Sequence, residues 1–153
     1  MNCWPGRLSG NTWLIHFQSG RPRYDGKGIS SHRTIISAAN TPNVEEVLLH
    51  LAAYPHLQKD IGFLVDMFGC LFELNMSSLR LAPLTHAMSP RFHVDRIPCC
   101  LITTYLGTGT VWLHHQSVNR SKLGAGMVHR SPSMNSDERR LLLSFDFLSP
   151  ANP

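Results

Sequence analysis

In the segment RFHVDR, residues 91–96, an imidazole and a carboxylate stand two positions apart. On an extended chain successive side chains alternate in direction, so His93 and Asp95 project from one face. Such a pair can hold a divalent metal, and His129 in VHRSP can add a third ligand. Two histidines and one carboxylate leave coordination positions open for substrate and dioxygen, a set that suits Fe(II); imidazole and carboxylate also suit Zn. The same residues admit a plainer arrangement, in which Asp95 pairs with Arg91 or Arg96 and His93 is a hydrogen-bonded, half-buried imidazole.

Ten residues beyond His129 stands the pair Arg139-Arg140. Adjacent residues on a strand face opposite ways, so only one of the two can point inward. A planar guanidinium matches the two oxygens of a carboxylate, which makes Arg139 or Arg140 a candidate anchor for a dicarboxylate co-substrate such as 2-oxoglutarate. Arg140 and Ser144 share a face, so Ser144 joins that candidate set. The competing expectation is a pair of surface charges beside Asp137 and Glu138. Tyr105 shares a face with Thr103 and is a candidate for hydrogen bonding a co-substrate, or else a core tyrosine with its hydroxyl satisfied. His114 and His115 alternate, which sends at most one of them toward a site. The chain has no GxSxG elbow, Walker loop or HExxH. Nothing in the sequence lowers the pKa of Cys99 or Cys100, so a thiolate nucleophile is not expected.

These residues need a scaffold, and 153 residues suffice for one domain with a core. A hydrophobic content of 42% with 16% charged residues is that of a globular chain. No apolar run is long enough to cross a bilayer, and the opening MNCWPGRLSG lacks the apolar core of a signal peptide. The expectation is a cytoplasmic protein without membrane contact, its four cysteines (Cys3, Cys70, Cys99, Cys100) reduced because no CxxC occurs. Residues 1–40 hold five basic side chains against one acidic, which accounts for the whole net charge of +4. They are expected to form a basic, poorly ordered arm. Without interleaved aromatic residues, nucleic acid is not the expected partner.

Within 41–150 the pattern predicts a single domain with two helices followed by strands. Thr41 suits an N-cap and Pro42 the first helical position, with Val44, Val47, Leu48 and Leu51 at helical spacing, giving a helix over about 42–55. A second helix is predicted over about 60–74, with Ile61, Leu64, Val65, Phe68, Leu71 and Phe72 forming its apolar stripe. From residue 77 onward the period changes. SSLRLAPL alternates with Leu79 and Leu81 opposite Arg80; RFHVD, CCLITTYLG, VWLHH and RRLLLSFDFL read as further strands, and WLIHF at 13–17 as a short one. Helices followed by a run of strands give α+β, with a barrel or jelly roll fitting the β part.

RFHVDR, TTYLGTGTVWL, VHRSP and RRLLLSFDF, in that order, resemble a bacterial domain-of-unknown-function family numbered 1826, from about Val65 to Leu148. That family is similar to the double-stranded β-helix group, which contains cupins and Fe(II)/2-oxoglutarate oxygenases. The resemblance implies N-terminal helices packed on a cupin-like jelly-roll core, with His93, Asp95 and His129 as metal ligands. This chain departs from the family pattern at Ser89, where a Cys is usual, and at Cys100, where an Arg is frequent. It also lacks several dozen residues between Lys122-Leu123 and Val128-His129, so its roll is expected to be shortened. The expected function is a non-haem Fe(II) oxygenase using 2-oxoglutarate on a small-molecule substrate. The alternatives are a non-catalytic metal-binding protein in zinc or iron handling, and an inactive shortened family member.

Overall fold

The computed structural model describes residues 13–17, 29–37, 48–74, 76–97, 99–119 and 126–147. Seven strands and one α-helix follow in the order β1 (Trp13–Phe17), β2 (His32–Ser37), α1 (Pro55–Phe72), β3 (Met76–Leu84), β4 (Cys99–Leu106), β5 (Val111–Trp112), β6 (His129–Arg130) and β7 (Arg140–Phe147). The class is α+β. Five strands form one sheet in the order β1-β4-β7-β3-β2, and β5 and β6 form a separate ribbon. All pairs are antiparallel except β1 with β4. Two strands thus come from the segment whose charge suggested an arm: the β-branched run Thr34, Ile35, Ile36 pairs along β3, and Ile29 and Ile36 are buried in the core.

The helix begins at Pro55, five residues ahead of the expected start at 60, because a proline lacks only an N–H that the first helical turn leaves unbonded anyway. Pro55 therefore opens α1, whereas the expected earlier helix ended at about residue 55. Of that earlier helix, residues 42–47 lie outside the described residues; the part from Leu48 is a single 3-10 turn, Leu49–Leu51. Leu57, Ile61, Leu64, Val65 and Phe68 recur at helical spacing and form the buried face. The helix ends at Glu73 in the left-handed region (φ 50°), where the Leu74 amide donates back to the Gly69 carbonyl at 3.0 Å.

Alternation along the central strands then splits the sheet into two faces. Leu79, Leu81, Leu101, Leu141, Leu143 and Phe145 pack under α1, with Phe145 stacked 5.8 Å from Phe68. The opposite face carries Arg80, Cys100, Ile102, Arg140, Leu142, Ser144 and Asp146, all lining one cavity. Ala82, Leu84, Leu142 and Ile102 make a small second apolar cluster on that side.

RFHVD does not form the expected strand. His93 makes one antiparallel rung with His129, each amide donating to the other's carbonyl at 3.0 Å, and Asp95 lies beyond it in irregular chain. The partner strand β6 is only two residues long, and Pro132 denies the edge a donor soon after. Cys70 departs from expectation too: it is disulfide-bonded, whereas Cys99 and Cys100 are free. Bonding depends on proximity in space, which the sequence spacing of the cysteines does not express. No helix among the described residues is long and apolar enough to cross a membrane.

Candidate metal centre

β6 is the hub of the site. On one side it pairs with β5, Trp112 opposite His129, and the Leu113 amide extends that pairing to the Val128 carbonyl at 2.9 Å. On its other side it holds residues 89–93 through the His93–His129 rung and through Ser131, whose amide donates to the Ser89 carbonyl at 2.8 Å. The Ser89 amide returns a bond to Ser131 Oγ at 3.2 Å. The two histidines therefore sit on directly paired residues, with ring centroids 4.5 Å apart.

Asp95 stands between them. Its Oδ1 lies 3.4 Å from His93 Nε2, and its Oδ2 lies 3.4 Å from His129 Nε2. One ligand atom from each of the three residues falls within 4.8 Å of the others, with His129 buried and the other two half-buried. Two ligands held at right angles on an ion at ~2.1 Å would be ~3.0 Å apart, so each His–Asp separation of 3.4 Å is a few tenths of an ångström wider than that spacing.

The partners of the other ring nitrogens indicate which atoms would face an ion. His93 Nδ1 is 2.8 Å from the Arg91 carbonyl, and His129 Nδ1 is 3.1 Å from the Met127 carbonyl. A carbonyl can only accept, so each Nδ1 carries the proton. In the neutral imidazole each Nε2 then presents its lone pair toward Asp95. Backbone carbonyls orient metal-ligating histidines in this way. The residues thus fit a divalent ion through their donor types, their convergence and their tautomers.

These three residues open onto a cavity of about 280 Å³ walled by the sheet face opposite α1. Arg140 is 2% exposed and enters it at the start of β7. Its Nη2 donates to Thr104 Oγ1 at 3.1 Å and to Thr110 Oγ1 at 2.7 Å, while its buried Nε has no partner. No carboxylate among the described residues pairs with it, and burial pushes its pKa down to about 10. It therefore remains a cation at neutral pH. Ser144 lines the same cavity, two alternate positions along β7.

Two other expected residues lie elsewhere. Arg139 is exposed and lines a different cleft with Leu106 and Leu141. Tyr105 and Thr103 share a face, as alternation requires, but it is the face under α1, where Tyr105 donates to Asp60 Oδ2 at 2.5 Å. His114 is exposed beside Trp112 and does not line the cavity. Cys100 reaches the cavity and donates to Asp146 Oδ1 at 3.2 Å; burial first, and then the Asp146 charge, pushes its thiol far up, which disfavours a thiolate. Thr104, Thr110, Arg33, Arg80 and Asp146 were not singled out as site residues. Thr104 and Asp146 share strand parity with Cys100 and Arg140 respectively, a signal that was available; Thr110 lies in a loop and carried none.

The model of a family described as "Protein of unknown function (DUF1826)" matches residues 23–125, about two thirds of the chain. The chain belongs to that family. The DUF1826 match contains His93, Asp95, Thr104 and Thr110, and ends before His129 and Arg140. No curated protein and no solved structure matches the chain.

Proposed function

We propose that this DUF1826 member is a non-haem oxygenase that holds Fe(II) at His93, Asp95 and His129 and anchors 2-oxoglutarate at Arg140. The observation that carries the proposal is a buried guanidinium, lacking a counter-charge and a partner for its Nε, in the same cavity as two histidines and a carboxylate. An unpaired buried charge destabilises a fold, and it is accounted for when the missing anion is a ligand. When bound, Fe(II) and 2-oxoglutarate would supply four-electron reduction of dioxygen, two electrons coming from decarboxylation of the oxo-acid to succinate and two from a substrate C–H bond.

The residues of the chain have separate tasks in this reading. His93 and His129 present Nε2 because backbone carbonyls hold their Nδ1 protons, and Asp95 contributes negative charge between them. Thr104 and Thr110 fix Nη2 of Arg140, leaving the rest of the fork for a carboxylate. The sheet face and His129 of the short ribbon both line the cavity, and we read sheet and ribbon as the two sides of a shortened double-stranded β-helix.

A purely metal-binding protein would use the same three ligands, yet it gives Arg140 no role. A defective member would have His129 turned from Asp95 or an unpaired interior strand edge; the first is not the arrangement here, since these residues face each other at 3.4 Å. The test is anaerobic Fe(II) titration with and without 2-oxoglutarate, following visible absorption. A charge-transfer band that needs both additions, and is absent in His93→Ala, supports the oxygenase reading. Metal binding with no such band would favour metal handling.

A further inference from the structure

Arg33 on β2 and Arg80 on β3 are direct register partners in an antiparallel pair. Both line the cavity that holds the triad and Arg140. Directly opposed like charges weaken a sheet, and although Arg33 is exposed and Arg80 half-buried, an anion between them would relieve the repulsion that water only screens. The ladder does not supply one. On its other side Arg80 faces Ser144, and neither guanidinium has a hydrogen-bond, ion-pair or ring partner among the described residues.

The charges of the whole cavity point the same way. Four arginines line it (Arg33, Arg80, Arg96, Arg140) against two aspartates, Asp95 and Asp146. With neutral histidines, a divalent ion would raise the net charge of plus two to plus four. A dianionic oxo-acid at the metal and Arg140 would neutralise half of that. The remaining excess lies on the β2–β3 side, away from the Thr104 and Thr110 contacts that hold Arg140 at the start of β7.

We infer that Arg33 and Arg80 form a second anion site in this cavity and that the substrate carries an oxyanion group, a carboxylate or a phosphate, bound between them. Its role as a substrate site rests on the oxygenase reading; the anion site itself needs no metal. Two forked guanidinia on adjacent strands can each give paired N–H bonds to a tetrahedral or planar oxyanion, and the anion relieves the repulsion between them.

The test uses the full chain, stripped of metal by chelation, and inorganic phosphate as the probe in calorimetric titrations at low ionic strength. Wild type should bind phosphate. Arg33→Gln and Arg80→Gln should each weaken binding about tenfold or more, while Arg139→Gln, an exposed residue outside this cavity, should change it by less than about twofold. Because each of the first two variants removes a like-charge repulsion, its thermal midpoint should equal or exceed that of wild type. Absence of phosphate binding in the wild type, or loss of binding only in Arg140→Gln, overturns the proposal. A parallel Fe(II) titration separates the two readings. Arg80-dependent phosphate binding in a chain that takes no Fe(II) retains the anion site and removes the metal reading. Fe(II) binding without phosphate binding does the reverse. Carboxylate and phosphate sources are then distinguished by repeating the titration with succinate in Arg140→Gln, where the remaining binding reports the Arg33–Arg80 site alone.

Discussion

Replacing Arg140 by methionine separates a side chain kept for structure from one kept for a ligand. Burial lowers the Arg140 pKa from the ordinary 12.5 to about 10, a desolvation penalty of about 3 kcal/mol. The folded value lies below the unfolded one, so folding disfavours the charged form and the penalty is fully present at every pH below about 10. Against it stand two hydrogen bonds from a charged donor, to Thr104 and Thr110, each contributing about 1.5–3 kcal/mol. The two effects nearly cancel. The unpartnered Nε adds a further penalty, so Arg140→Met should leave the ligand-free protein within about 1 kcal/mol of wild type, a midpoint shift of about 4 °C at most. Co-substrate binding should respond quite differently, because losing one partner of a buried, hydrogen-bonded charge pair costs about 2–5 kcal/mol. That corresponds to a fall in 2-oxoglutarate affinity of about 30-fold or more. Thermal unfolding without ligand, together with calorimetric titration of 2-oxoglutarate into the metal-loaded protein, measures both quantities. A folded variant whose affinity falls less than about threefold would refute the assignment, as would a destabilisation of several kcal/mol, which would make Arg140 a structural residue.

Gly107 follows β4 with φ of +81°, and a Cβ there would meet the Arg139 carbonyl oxygen at 2.5 Å. Gly107→Ala should therefore destabilise by at least about 2 kcal/mol, lowering the thermal midpoint by several degrees, and should weaken 2-oxoglutarate binding by displacing the start of β7. Burial, and secondarily the Asp146 charge, pushes the Cys99 thiol from 9.0 up to about 11. Its folded value exceeds its unfolded one, so the neutral thiol contributes stability that is whole below about pH 9 and declines as pH rises toward 11. Denaturant titrations of wild type and Cys99→Val at pH 8 and pH 10.5 should show a larger loss in wild type; equal losses would contradict the assigned environment.

Much of the fold was legible because two periodicities carry it. The stripe from Ile61 to Phe68 announced a helix, and Leu79 and Leu81 opposite Arg80 announced a strand with an apolar side and a charged side. Boundaries were less legible: Pro55 is acceptable both just after a helix and as its first residue, and only the chain's path decides. At the site, the separation of His93 and Asp95 allowed convergence, although irregular chain rather than a strand delivers it. Strand parity grouped Thr103 with Tyr105 and Arg140 with Ser144. It could not assign those faces, because both sides of this sheet are covered, one by α1 and the other by the walls of the cavity. Tyr105 therefore lies under the helix while Arg140 enters the site. Thr110 meets Arg140 across thirty positions of sequence, and the Arg33–Arg80 pair arises from the register of β2 with β3; neither contact is expressed in local pattern.

The central claim is that His93, Asp95 and His129 hold one metal ion together. Its most direct test is the metal content of the chain after anaerobic loading with Fe(II) and removal of free ion, measured by elemental analysis for wild type, Asp95→Ala and His129→Ala. The account predicts one iron per wild-type chain and almost none in either variant, with all three proteins folded by circular dichroism. Full retention of iron in His129→Ala, or no iron in folded wild type, would contradict it.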